Sequence, residues 1–164
     1  MKKYEFTGET KQINLLFRTA TLHRIRAVVE FGLVKIGDLG GWIEKEENLS
    51  HDGKAWVWGN AEVCGDAKVC GDAKVWGNAK VFSASHVLVI GAIGSRNDFT
   101  TFFRDKDGEI TVKCGCFLGK IDRFLEKVAS THGNSKYALV YRAAVEVAKL
   151  QIDLTGEAPE MDEE

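Results

Sequence analysis

The stretch AWVWGN AEVCGD AKVCGD AKVWGN AKVFSA SHVLVI, residues 55–90, repeats every six residues. Position one is Ala five times and Ser once. Position three is Val in all six units, at Val57, Val63, Val69, Val75, Val81 and Val87. Gly-Asn or Gly-Asp closes the first four. A short fixed period specifies a solenoid, whose units pack on their neighbours. Alternate side chains of a strand face opposite ways, so Ala at position one and Val at position three point inward, and positions two and four point outward. Gly and Asn/Asp tolerate positive φ and turn the chain. Three units per coil make a triangular prism and bring residues 18 apart together: Trp58 with Trp76, Cys64 with Phe82, Cys70 with Leu88. All six of these occupy the outward position four. Such a row is too apolar to face water, so terminal segments or neighbouring subunits are expected to cover it. Two coils are also short for a free-standing solenoid, which points to caps and oligomerisation.

Upstream, residues 1–36 read as an N-terminal cap of antiparallel strands. Residues 3–7 and 13–18 are separated by a turn at Gly8-Glu9-Thr10-Lys11, and 22–31 is a third alternating run. Residues 37–94 form the repeat unit with its Gly-rich lead. Residues 95–154 form a C-terminal unit, with a hairpin of 98–104 and 109–116 around Asp105-Lys106-Asp107-Gly108. Two helices follow. The first spans about 120–131, with Ile121, Phe124, Leu125 and Val128 inward and Gly133 past its end. The second starts after Ser135, a suitable N-cap, with Tyr137, Val140, Tyr141, Ala144, Val147 and Ala148 inward. The fold class is therefore mainly β: a short hexapeptide-repeat β-helix, N-terminal antiparallel strands and a small α+β (ββαα) unit. Residues 155–164 read as a disordered acidic tail.

The chain of 164 residues has a formal charge of −2. The tail holds five acids and no base, leaving +3 on the rest. That is enough to favour an anionic ligand and too little for a nucleic-acid binder. No apolar run is long enough to span a membrane and no signal-peptide pattern opens the sequence, so a cytoplasmic protein with reduced cysteines is expected.

The stretch GDLGGWIEKEENLS at 37–50, followed by AWVWGNAEV, resembles the opening of the YdcK-like hexapeptide-repeat proteins. The repeat is similar more broadly to the left-handed β-helix superfamily. That resemblance, over roughly residues 4–90, implies a left-handed coil and a trimer. The patterns IGSRNDFTTFF, KCGCFLGKIDRFLEKV and HG resemble the C-terminal part of short phage and prophage proteins. A phage setting implies host takeover or counter-defence, for which sequestration of nucleotide immune signals by small oligomers is one known device; the chain's location would then be the host cytoplasm.

Candidate chemistry concentrates where the repeat ends. Ser95-Arg96-Asn97-Asp98 opens the C-terminal unit, and Thr100, Thr101 and Arg104 follow. Arg offers a bidentate fork for phosphate or carboxylate, while Asn, Asp and Thr orient polar groups. Tyr137 and Tyr141 supply stacking faces if the helices fold over this edge. The competing reading is a capping turn with an Arg96–Asp98 ion pair and core tyrosines. Acyl transfer from acetyl-coenzyme A is the enzymatic alternative, with His86 or His51 as base. A purely structural or protein-interaction module is the third. Cys114 and Cys116 with His132 lack an obvious fourth zinc ligand, Gly115–Ile121 departs from a P-loop, and Asp105–Gly108 is too short for an EF-hand. No catalytic residues, metal or cofactor are assigned. The expectation is a non-enzymatic oligomer holding a small anionic or nucleotide-like ligand through Arg96, Asn97, Asp98, Thr100, Thr101, Arg104, Tyr137 and Tyr141.

Overall fold

A computed structural model describes residues 1–155; the acidic tail expected after Thr155 lies outside the described residues. Strands β1 (Tyr4–Asn14), β2 (Thr19–Ala27) and β3 (Leu39–Ile43) are antiparallel neighbours; antiparallel strands are expected in residues 1–36, but two are found there instead of three, and β3 comes from the Gly-rich lead of the repeat. The repeat then supplies four two-residue strands: β4 (Trp56–Val57), β5 (Glu62–Val63), β6 (Lys74–Val75) and β7 (Lys80–Val81). β5 and β7 extend the first sheet in parallel, Glu62 opposite Lys80 and Val63 opposite Val81. β4 pairs with β6, and Leu49 bridges Val69, both also in parallel. The chain thus visits three ladders in turn, returning to two of them after 18 residues and to the third, from Leu49 to Val69, after 20.

The inward assignments hold in the first five units. Their position-one alanines and position-three valines are at most 2% exposed. Burying one such valine is worth about 1.5–3 kcal/mol. Gly59, Gly65, Gly71 and Gly77 turn the corners at φ between 63° and 65°. Trp58 stacks on Trp76 at 4.6 Å. Cys64 and Phe82 share one cluster, and the Cys64 N–H donates to the Val81 carbonyl at 3.0 Å.

The third expected pair, Cys70 with Leu88, does not form. The sixth unit leaves the ladders through a short turn at 84–86, and β8 (Val87–Ile93) pairs antiparallel with β9 (Asp98–Arg104), placing Leu88 opposite Phe102. Without Gly-Asn or Gly-Asp after Val81, nothing turns the chain into another coil, and the β-branched run VLVI extends instead. Cys70 is left exposed.

The expected turn at Gly8–Lys11 is also absent. β1 runs straight through it, with a slip of register between Phe6 and Thr10 and Gly8 at φ 95°. A positive-φ glycine suits a bulge as well as a turn. The hairpin closes later, where the Leu15 N–H donates to the Arg18 carbonyl at 2.7 Å. Ala20 and Leu22 bury Cys64 and Trp42, with Ile13, Leu15 and Phe82 packed alongside. Ion pairs hold the hairpin down: Arg18 with Glu44 at 2.6 Å, and Lys11 with the buried Glu62 at 2.7 Å. The N-terminal segment therefore covers part of the apolar outer row, as expected of a terminal cap.

β8 and β9 continue into β10 (Ile110–Cys114) and β11 (Phe117–Lys120), giving an antiparallel sheet of order β11-β10-β9-β8. Helices α1 (Ile121–His132) and α2 (Lys136–Gln151) follow. The expected hairpin and both helices are present, but the unit has two more strands than ββαα. On one sheet face Phe102 and Val112 pack against Phe124, Val128, Tyr141 and Val145. On the other, Phe103 joins the repeat's core. The sheet is thus the middle of three layers. In α2, Ala138 and Val145 are buried, whereas Tyr137 and Val147, expected inward, are 43% and 47% exposed. Ser135 stands at the N-cap, but its side chain makes no capping bond.

Candidate functional site

The turn between β8 and β9, the turn between β10 and β11, and the helices enclose a cleft of about 240 Å³. Ser95, Arg96, Asp98 and Thr100 line one side. Cys114, Gly115, Cys116 and Phe117 line the second, and Phe124, Lys127, Val128, Thr131, His132 and Tyr141 close it from the helices. The α1 residues recur at helical spacing on the face turned toward the sheet.

Two glycines shape the walls. Gly94 has φ 78°, and a Cβ there would collide with the Tyr141 hydroxyl. Gly115 has φ 57°, and a Cβ there would lie 3.2 Å from a terminal nitrogen of Arg96. The tight two-residue turn Gly115-Cys116 therefore lets the guanidinium lie against backbone at the rim. Arg96 and Lys127 bring two positive charges to the lining and Asp98 one negative, so the rim carries a surplus of one.

The floor is aromatic. Phe117 meets Phe124 at 5.4 Å, Phe124 meets Tyr141 edge-on at 5.7 Å, and His132 stacks on Tyr141 at 5.7 Å. The Thr100 hydroxyl donates to the Cys114 sulfur at 3.4 Å. Burial pushes the Tyr141 phenol above its ordinary range. Its contact with Cys114 and the charge of Asp98 add to this, and Arg96 opposes it. Tyr141 is thus a proton donor across the physiological range.

Of the eight residues read as a site from the sequence, Arg96, Asp98, Thr100 and Tyr141 line the cleft. Asn97 caps the β8–β9 turn at φ 50° and is exposed. Thr101 points to the opposite face of β9, where its hydroxyl accepts the Lys74 N–H at 2.9 Å. Strand alternation separates it from Thr100. Arg104 lies four residues further along β9, about 13 Å away. It is 1% exposed, donates to the Lys80 carbonyl at 2.9 Å and covers the Phe82 ring. Tyr137 sits outside the lining, its ring 5.8 Å from that of His132. The spacing of Phe124, Lys127, Val128 and Thr131 on α1 was the sequence signal for the helical wall, once α1 is known to cover the strand ends.

Cys114, Cys116 and His132 do meet in this cleft, yet no group of three or more His, Cys, Asp or Glu side chains is placed to hold a metal ion among the described residues. The two histidines considered as acyl-transfer bases each accept a backbone N–H through Nδ1. His86 takes that of Phe82 at 3.0 Å and is 6% exposed. His51 takes that of Lys3 at 3.0 Å and stacks on Tyr4 at 4.1 Å. Among the described residues no helix is long and apolar enough to cross a membrane. Neither a family model nor a curated protein matches the chain.

Proposed function

We propose that the protein binds a small planar anion, of the kind a nucleotide exemplifies, in the cleft between the β8–β9 turn and the helices, and that it does so without catalysis. The observation that carries this reading is the joining of a cationic rim, Arg96 and Lys127, to an aromatic floor of Phe117, Phe124 and Tyr141. A guanidinium offers a fork for phosphate or carboxylate. The rings offer an apolar bed for a base, and Thr100, Ser95 and the Tyr141 hydroxyl orient its polar edge. A volume of about 240 Å³ suits one ring system and one acidic group.

In this reading the three rotating ladders wind left-handed, as in the hexapeptide-repeat proteins that the sequence resembles, and the working form is an oligomer. The resemblance of the C-terminal patterns to phage proteins gives the binding a purpose, capture of a host nucleotide signal.

Equilibrium dialysis of the full chain against nucleoside 5′-monophosphates, with the bare nucleosides and inorganic phosphate alongside, tests the reading. Saturable binding of a monophosphate is expected, about tenfold to hundredfold weaker in Arg96→Ala, the worth of a lost charge-assisted hydrogen bond. No saturable binding, or equal binding by Arg96→Ala, would overturn it.

A further inference from the structure

The cleft holds a pair of thiols that nucleotide binding does not use. Cys114 and Cys116 both line it. They flank Gly115, and Cys114 pairs with Phe117 across the hairpin of β10 and β11. Of the two loop residues only Gly115 has positive φ, at 57°, which is the pattern of a type II′ turn. In such a turn Cα atoms two residues apart lie roughly 5–6 Å from each other, within the span of a disulfide. The two thiols differ in setting. Cys116 is exposed and Cys114 is half-buried. The Thr100 hydroxyl, on a residue 1% exposed, donates to the Cys114 sulfur at 3.4 Å. The hydroxyl of the buried Tyr141 also bonds to it. Two buried hydroxyls therefore fix that sulfur in the wall of the cleft. Arg96, whose guanidinium lies against Gly115, and Lys127 bring two cations to the same lining. Among the described residues no third His, Cys, Asp or Glu completes a metal site with the pair. The chemistry left to two neighbouring thiols is exchange with a disulfide.

We infer that Cys114 and Cys116 act as a dithiol that reduces a small disulfide bearing carboxylates, held at the cationic rim. The inference rests on the cationic cleft proposed above as the ligand site, but not on the ligand being a nucleotide. Arg96 and Lys127 hold the carboxylates. Cys116, the exposed thiol, loses its proton to water, and its sulfur attacks one sulfur of the bound disulfide. The S–S bond of the small disulfide breaks, a bond to Cys116 forms, and one small thiolate leaves and takes up a proton. The Cys114 thiol then loses its proton, and its sulfur attacks the Cys116 sulfur of the mixed disulfide. The second small thiolate leaves and is protonated, and the Cys114–Cys116 bond closes. The protein dithiol is oxidised by two electrons and the small disulfide is reduced by the same two, so no further reagent enters. Cys70 serves as a control within the molecule. It is exposed too, but Glu46 and Glu47 outnumber Lys68 around it, and no second cysteine lines that pocket.

The test mixes the reduced full chain, kept free of oxygen, with oxidised glutathione or with cystamine, a cationic disulfide. Mass spectrometry of the peptides reads the state of each cysteine over time. Oxidised glutathione is expected to produce the Cys114–Cys116 disulfide about fivefold or more faster than it modifies Cys70, and cystamine should abolish that preference. Arg96→Ala should slow the reaction with oxidised glutathione about fivefold and should not slow that with cystamine. Cys114→Ser should stop at the mixed disulfide on Cys116. Should that variant fold poorly, Cys116→Ser, at an exposed position, should leave the cleft unreactive. A mixed disulfide that persists on Cys116 of the wild type would overturn the inference. So would equal rates at Cys116 and Cys70 with oxidised glutathione, or a rate indifferent to Arg96→Ala. Bridge formation in a protein that binds no nucleoside monophosphate would sink the nucleotide reading alone. Saturable nucleotide binding without a bridge would sink the dithiol alone.

Discussion

The Trp58 and Trp76 rings, 18 residues apart in sequence, stack at a centroid distance of 4.6 Å with their planes within 9°. That contact ties successive passes of the chain together on the outside of the repeat, where Lys113 of β10 also lies over Trp76 at 5.0 Å. The repeat and the C-terminal sheet therefore share a side chain. Trp76→Ala removes the stack and the cation–π contact together. A loss of about 2–4 kcal/mol in unfolding free energy is expected by denaturant titration. Loss of less than about 0.5 kcal/mol would mean the stack contributes nothing to stability.

Gly94 and Tyr141 form the second relationship that holds the molecule together, since the phenol occupies the space a side chain at 94 would need. Gly94→Ala is expected to lower stability by about 2 kcal/mol or more, through the collision and the positive φ. Tyr141→Phe removes the atom closest to the added methyl and should recover part of that loss. A double-mutant cycle by thermal unfolding measures the coupling. Additive effects would show that the hydroxyl does not press on position 94.

How far this arrangement was legible depends on how local its causes are. The repeat was readable because Ala, Val and Gly-Asn/Asp each act within six residues, and the inward valines of the first five units are buried accordingly. The helices were readable from their apolar spacing. The exit of the chain at Val87 was not, because it depends on β9 offering a partner edge to β8. Gly8 was read as a turn because positive φ serves turns and bulges alike; the pairing of Thr10 with His23 decides between them, and that is a long-range contact. One wall of the site, Ser95, Arg96, Asp98 and Thr100, was visible as the polar run after Gly94, and Tyr141 as an aromatic face if the helices folded over it. The rest, Lys127, Phe117 and Phe124 above all, is brought to the run by strand pairing and helix packing that no local pattern records. Arg104 and Thr101 looked equivalent to Arg96 and Thr100 in composition, and strand direction and parity set them apart.

Glu44 makes the hairpin cap sensitive to acid. Its carboxylate accepts two bonds from Arg18, at 2.6 and 3.0 Å, and one from the Gly65 N–H at 2.8 Å. The hydrogen bond from Arg18 holds its pKa below the ordinary value, against the opposing effect of burial and with help from Gly65. A carboxyl lowered on folding stabilises the fold above its unfolded pKa of 4.5, and that contribution fades as pH falls through the lower folded value. Amide exchange in 11–20 should therefore accelerate below about pH 4.5 relative to the rest of the chain. In Glu44→Gln the acceleration should vanish, with exchange faster at neutral pH. Parallel pH profiles for the two proteins would sink this account of the clamp.

The cleft is the centre of the functional account, and amide chemical-shift mapping tests it most directly. Uniformly labelled protein is titrated with a nucleoside 5′-monophosphate and, separately, with inorganic phosphate. The account predicts saturable shifts at residues 95–100, at 114–117 and along 124–132, with the aromatic floor responding to the nucleotide and not to phosphate alone. The outer face of α2 should stay silent. Shifts confined to the repeat, or no saturable shift with any nucleotide, would contradict the assignment of the cleft as the ligand site.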